Sequence, residues 1–378
     1  MRFGFTDEQE QFREVIRRFL RERSPTSDVR RMMATDLGYD RSLWEQLACE
    51  PGLTGLQVPE NCGGQGFGFI ELGIALEEMG AALLCAPYFA SNVLATQALL
   101  HGATDSEQAE LLPSIASGER IATLAWVEPS GNWDPAAIAT VATARDDHYE
   151  LNGTKKFVLD GHSADLILVA ARLPNTHGDQ GITLFAIERG SAGLNARLLQ
   201  TIDATRKQAE LSFTEVRARP LGQIGNAASA LRRTVDEAAI ALSCEMIGGA
   251  RALLDSAVAY AKLRMQFGRP IGSFQAIKHK CAELLLDLEL ATSAARYAAA
   301  AVADNDANIP ALASHAKAVV SDCYTRMASE CIQIHGGIGF TWDQDTHLWF
   351  KRAKSSEVML GDASFHRERY MSLVEQAA

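Results

Sequence analysis

Apolar positions along the chain follow two different periods. Over residues 6–117 they recur at helical spacing. Phe12, Val15, Ile16, Phe19 and Leu20 lie on an arginine-rich segment, and the same pattern returns over residues 42–48, 69–80, 91–101 and 106–117. Thr6-Asp7-Glu8-Gln9, ahead of the first run, has the form of a capping box. At Ile121 the texture changes to short strand-like runs at residues 121–127, 139–143, 149–151, 155–159, 166–171, 183–188 and 209–213. Asn152-Gly153, Asp160-Gly161, Pro174-Asn175 and His177-Gly178 supply turn signals between them. After Asn226 the helical period returns. Leu231, Val235, Ala238, Leu242, Met246, Gly249 and Leu253 mark one face of a long helix. Further helices are predicted over 273–301 and 311–335, the last stopped by Gly336-Gly337. The pattern predicts an α+β multidomain chain: an all-helical domain over 1–120, a small β-barrel or sandwich over 121–225, and a second helical domain over 226–378.

Composition narrows the class. The chain has 378 residues, 47% of them hydrophobic and 22% charged, which is globular composition with room for more than one core. No apolar run is long enough for a membrane span. Met1-Arg2-Phe3-Gly4-Phe5 runs straight into a charged helix, so no signal peptide is expected and a cytoplasmic location is. Seven scattered cysteines form no Cys-x-x-Cys pair, which predicts reduced thiols and no metal site. A net charge of -11 argues against nucleic acid as the main partner, while leaving room for a local cationic pocket.

Candidate chemistry concentrates at the corner Arg264-Met265-Gln266-Phe267-Gly268-Arg269-Pro270-Ile271-Gly272-Ser273-Phe274-Gln275, where one helix ends and the next begins. Arg264 offers a planar donor fork suited to phosphate, and Gln275 both a donor and an acceptor. A second glycine-rich stretch, Gly63-Gly64-Gln65-Gly66-Phe67-Gly68, lacks the G-x-G-x-x-G spacing and a surrounding strand–helix–strand unit. It reads as a loop and not as a dinucleotide site.

With these stretches placed, the chain resembles the acyl-CoA dehydrogenase flavoprotein family nearly end to end. The resemblance rests on the Arg264-to-Gln275 corner, on Gln333-Ile334-His335-Gly336-Gly337-Ile338-Gly339-Phe340, and on Val58-Pro59-Glu60-x-x-Gly63-Gly64. It implies a helical domain, a β-barrel domain and a C-terminal four-helix bundle, usually in a tetramer that binds FAD. It also implies that Arg264, Gln266, Phe267, Gln275, Gln333, His335, Gly336 and Gly337 reach a flavin seated mainly in the neighbouring chain. The implied reaction removes the α-proton of an acyl-CoA thioester with a carboxylate while hydride leaves the β-carbon for the flavin. The implied electron acceptor is an electron-transfer flavoprotein or a similar protein.

The sequence departs from that family pattern in a coordinated way. The usual base position, before a glycine in Val358-Met359-Leu360-Gly361-Asp362, is Leu360. The alternative base position on the long helix is Ala238, and Glu237 and Asp236 are rotated from it by about 100° and 200°. The family's Thr-Glu-Pro is Val127-Glu128-Pro129, its Trp-Ile-Thr is Phe157-Val158-Leu159, and its small-residue acyl-CoA loop is Ser130-Gly131-Asn132-Trp133-Asp134. Groups that would serve a neighbour's flavin are intact, whereas those serving this chain's own flavin and substrate are eroded. This predicts an FAD-supporting, base-lacking subunit of an α2β2 assembly, by analogy for bulky substrates such as steroid side chains. The alternatives are a homotetramer with Asp362, Glu237 or Asp236 as a displaced base, a non-catalytic structural paralogue, and a flavin-dependent oxidase or monooxygenase on the same fold.

Overall fold

Thr6 starts the first helix as its sequence predicts. Its hydroxyl accepts from Gln9 N at 3.2 Å, and Gln9 Oε1 accepts from Thr6 N at 3.0 Å. The computed structural model describes residues 4–377, so Met1-Arg2-Phe3, where no signal peptide is expected, lies outside the described residues. The helical opening comprises α1 (Asp7–Arg23), α2 (Thr26–Met33), α3 (Arg41–Cys49) and α4 (Phe69–Ala81), then a buried π-helical turn at Phe89–Ala95, α5 (Thr96–Gly102) and α6 (Asp105–Ala116). Seven strands follow: β1 (Ala122–Ala125), β2 (Val141–Ala144), β3 (Tyr149–Leu159), β4 (Leu166–Arg172), β5 (Ile182–Glu188), β6 (Leu194–Leu198) and β7 (Gln208–Leu221). The remainder is α7 (Ala228–Leu263), the short hairpin β8 (Met265–Gln266) and β9 (Arg269–Pro270), α8 (Gln275–Ala303), α9 (Ile309–His335), α10 (Thr346–Val358) and α11 (Ala363–Ala377). Among the described residues no helix is long and apolar enough to cross a membrane.

The elements gather into two compact units. One holds Met1–Arg31, Phe69–Leu84 and Ala239–Ala378; the other holds Met32–Gly68 and Cys85–Ala238. In the second unit, β4 pairs with β2 and β5, β2 with β3, β3 with β7, and β7 with β5. These five pairings close a ring, so the barrel alternative is the one adopted, with β1 added parallel to β4 and β6 added to β7. Leu166–Arg172 is buried at every position, as its unbroken apolar run requires.

Three local readings change. Asn152-Gly153 is no turn, because β3 runs through it as one strand. Gly153 (φ 151°) sits at a register slip against β7, where a Cβ would come within 2.6 Å of Thr140 Oγ1. The strand expected at 209–213 continues to Leu221 because Val216 and Ala218 turn inward between exposed charged neighbours. β6 escapes a burial-based reading because its middle residues are exposed.

In the first unit, α8, α10 and α11 all pack on α9. Ala313, Ala316, Val320, Met327 and Cys331 of α9 are buried. Glu245 of α7 pairs with Arg352 of α10 at 2.7 Å, both side chains being almost fully enclosed.

Candidate functional site

The corner after α7 is rigid in its backbone and open in its side chains. Arg264 N donates to Tyr260 O, and Ile271 N to Arg264 O, both at 2.8 Å. The β8–β9 hairpin turns at Phe267 (φ 53°) and Gly268 (φ 76°), leaving Phe267 91% exposed. Phe267 meets Phe274 edge-on at 6.0 Å, and the Arg269 guanidinium covers the Phe274 ring at 4.1 Å. Gln266 turns its amide back to Met265 O. Gln275 is the first residue of α8, and Phe274 before it supplies no capping side chain, so the first amides of that helix remain available. The exposed Arg264 and Gln275 side chains make no hydrogen bond or ion pair among the described residues.

The end of α9 lies beside this corner. His335 stacks on Tyr260 with ring centroids 4.4 Å apart, and its Nδ1 donates to Cys331 O at 2.8 Å. It is therefore an internal joint between the ends of α7 and α9. Gln333 is exposed. Gly336 ends α9 at φ 67°, a backbone state that only glycine adopts without strain, and the space where a Cβ would stand at Gly336 or Gly337 is open. Arg264, Gln275, Gln333 and Gly337 are exposed and Gly336 is half-buried, on two segments that meet through the Tyr260–His335 stack.

The corner at Leu360, the position expected for a base, is held differently. Leu360 is 1% exposed and adopts φ 63°, a costly conformation for a branched side chain. Two buried groups hold that corner. Lys317 Nζ donates to Gly361 O, Glu357 O and Ser321 Oγ, each at 3.0 Å, and His366 Nε2 donates to Leu360 O at 3.0 Å. Burial pushes Lys317 down to about 7 against the opposing pull of Glu357 and Asp362. Burial, with Lys317 nearby, pushes His366 down to about 3, so its ring is neutral. Asp362 is committed elsewhere: its Oδ1 accepts from Phe365 N at 2.8 Å, capping α11.

In the other unit Ala238 is 0% exposed. Glu237 beside it is enclosed, accepts from His101 Nε2 at 2.8 Å, and is paired with Arg233 one turn earlier. Val127 and Leu159 are buried apolar groups, and Phe157 stands at φ 60° where β3 slips register against β7. Glu128 accepts from Lys155 Nζ at 2.8 Å and from Thr140 N at 2.7 Å. Its own burial would raise its pKa, but Lys155 and Thr140 overcome that and hold the carboxylate low.

Sequence reasoning did not find Lys317, His366 or the Lys155–Glu128 pair as internal groups. A lysine inside an alanine-rich helix or an alternating strand reads as solvated. Only the apolar neighbours on either side of Lys317, Ala316 and Ala318, hint otherwise.

Comparison with known proteins decides the family. Sequence models of the acyl-CoA dehydrogenase N-terminal, middle and C-terminal domains match residues 6–119, 123–216 and 227–372. The chain belongs to the acyl-CoA dehydrogenase family. It is 34% identical over 355 residues to acyl-CoA dehydrogenase IpdE2 of Mycobacterium tuberculosis, covering 94% of this chain and 93% of that one. Among solved structures, butyryl-CoA dehydrogenase from Megasphaera elsdenii aligns with TM-score 0.92 and 27% identity over 99% of this chain and 100% of that one. A variant of the Tcur3481–Tcur3483 steroid ACAD aligns with TM-score 0.88 and 30% identity over 98% of each chain. The dehydrogenase accordingly has the family's helical, β and helical domains and its FAD-dependent chemistry. Its residues fit part of that cofactor. An unpartnered guanidinium and uncapped α8 amides are donors suited to a diphosphate, and the open space at Gly336-Gly337 leaves room for its approach.

Proposed function

We propose that this dehydrogenase chain is the FAD-supporting, base-lacking subunit of an α2β2 acyl-CoA dehydrogenase whose second chain supplies the catalytic glutamate and the acyl-CoA pocket. The observation that carries the proposal is Leu360: an aliphatic side chain, fully enclosed, at the position of the family's base. The second base position, Ala238, is equally apolar and enclosed. The neighbouring acids disfavour a displaced base, since Asp362 caps a helix and Glu237 is paired with His101 and Arg233. FAD, when bound, accepts the hydride that leaves the β-carbon. This chain's part is to bind and orient: Arg264 and the first α8 amides hold diphosphate oxygens, Gln275 and Gln333 hold polar edges, and Gly336-Gly337 admits the close approach.

The acyl group is proposed to be bulky and polycyclic, on the likeness to the steroid ACAD. Electrons are proposed to pass to an electron-transfer flavoprotein, and the assembly to be cytoplasmic. The test is to purify the chain alone and with the product of its neighbouring gene, then measure bound FAD and acyl-CoA-dependent dye reduction. Flavin and turnover only in the mixture support the proposal. A yellow, active chain alone would overturn it in favour of a homotetramer, and a colourless, inert mixture in favour of a structural paralogue.

A further inference from the structure

A cavity of about 380 Å³ runs beside the second half of α8, between that helix, α4 and the residues leading into α1. Its floor is apolar, formed by Ile70 and Ile74 of α4, Ala299 of α8 and Cys244 of α7. Burial holds the Cys244 thiol well above its ordinary range, so it is a neutral packing group. The inner charges are already satisfied. Glu77, 5% exposed, accepts from Arg13 Nη2 at 2.9 Å and from Arg296 Nε and Nη2 at 3.2 and 3.1 Å. Both guanidiniums lie over the Phe5 ring, each 4.4 Å from its centroid, so this wall is set before any ligand arrives. The two ends of the cavity differ from its middle. Glu289 and Asp304, both exposed, line it about 22 Å apart along the α8 axis. The Asp304 side chain has no hydrogen bond or ion pair among the described residues. It stands at the C-terminus of α8, whose last turn carries no basic residue, so unpaired carbonyls add negative charge there. The Glu289 carboxylate is paired with Arg251 at 3.4 Å, an exposed contact that contributes little.

We infer that this cavity is a binding site for a linear aliphatic polyamine, with terminal ammonium groups at Glu289 and Asp304 and methylene links on the floor of Ile70, Ile74 and Ala299. The chemistry of the lining sets that class. A carboxylate or phosphate would meet negative charge at both ends, and the Arg296 guanidinium in the wall is committed to Glu77. A neutral apolar molecule would gain nothing from either carboxylate, and a short monoamine would reach only one of them. An elongated cation with apolar links matches both ends and the floor. Its inner nitrogens can donate to the Ser293 and Tyr297 hydroxyls that line the same wall. The site stands apart from the corner assigned to flavin support and does not depend on the proposed subunit role.

The test is calorimetric titration of the full-length protein with spermine, alongside thermal unfolding. Wild type is expected to bind one spermine per chain and to rise in thermal midpoint as the ligand is added. Asp304→Asn and Glu289→Gln are each expected to weaken binding about tenfold, through loss of a charged hydrogen bond. Ala300→Leu, which fills space at a half-buried position of the wall, is expected to abolish binding while the unliganded midpoint stays near wild type. Glu368→Gln, at an exposed acid of α11 that does not line the cavity, is expected to change nothing. Should Ala300→Leu not fold, butylamine replaces it as the comparison, since one ammonium on a short chain should bind at least about tenfold more weakly than spermine. No saturable binding by wild type, or butylamine binding as tightly as spermine, would overturn the site. Equal weakening by Glu368→Gln would overturn it too, because spermine would then be following the net charge of -11 alone.

Discussion

Leu360 concentrates the chemistry at the scale of single residues. The φ of 63° and the Lys317 and His366 clamps hold a corner at which the proposal places the missing carboxylate. That the base position was apolar could be read from Val358-Met359-Leu360-Gly361-Asp362 alone; that Asp362 is a helix cap could not, because a cap is defined by the backbone it meets. Asp362→Ala should therefore cost about 1 kcal/mol in denaturant unfolding. Neither it nor Glu237→Gln should lower turnover of the assembled enzyme, which steady-state kinetics checks. His366 makes a pH prediction. Its folded pKa of about 3 lies below the ordinary histidine value, so the unfolded chain takes up the proton first. Its contribution to stability is complete above the unfolded value of about 6.5 and is lost as pH falls toward 3. His366→Gln should flatten that acid limb in unfolding midpoints measured across the window. Lys317, with a folded pKa of about 7, makes stability rise with pH from there to about 10.5, a slope that Lys317→Met should remove.

The elements show where pattern reading succeeds and where it stops. Thr6 and Gln9 announce α1, and the sequence alone places α4, α8 and α9 within a few residues, because their apolar positions keep helical spacing. The barrel is legible as short strands, yet Gly153 marks a bulge inside β3, and exposed β6 carries no burial signal. His335 of the glycine motif stacks on Tyr260 and so joins α7 and α9, a contact no linear pattern shows. The corner from β8 to α8 is the element to which the proposal assigns cofactor support. Arg264 has no side-chain partner among the described residues, so Arg264→Ala should leave unfolding free energy within about 0.5 kcal/mol of wild type. The same change should weaken FAD retention by the assembly about tenfold or more, through loss of charged hydrogen bonds to phosphate. Flavin release during dialysis measures it.

For the whole molecule, the sequence presents three successive textures, whereas packing joins segments far apart in the chain. Residues 69–84 gather with α1 and the C-terminal helices, because α4 meets α1 and α8. A linear pattern carries the faces of α4 but not the identity of what covers them. The proposed division of labour has the same character. The exposed Arg264, Gln275 and Gln333 and the enclosed Leu360 and Ala238 are properties of one chain, and the proposal gives them their meaning in an assembly. The most direct measurement is flavin content and acyl-CoA-dependent flavin bleaching, made on this chain alone and after co-expression with a second acyl-CoA dehydrogenase-like chain. A base-lacking subunit should be colourless and inactive alone, and the mixture should hold one bleachable FAD for each pair of unlike chains. Stoichiometric FAD that bleaches in the isolated chain would contradict that reading.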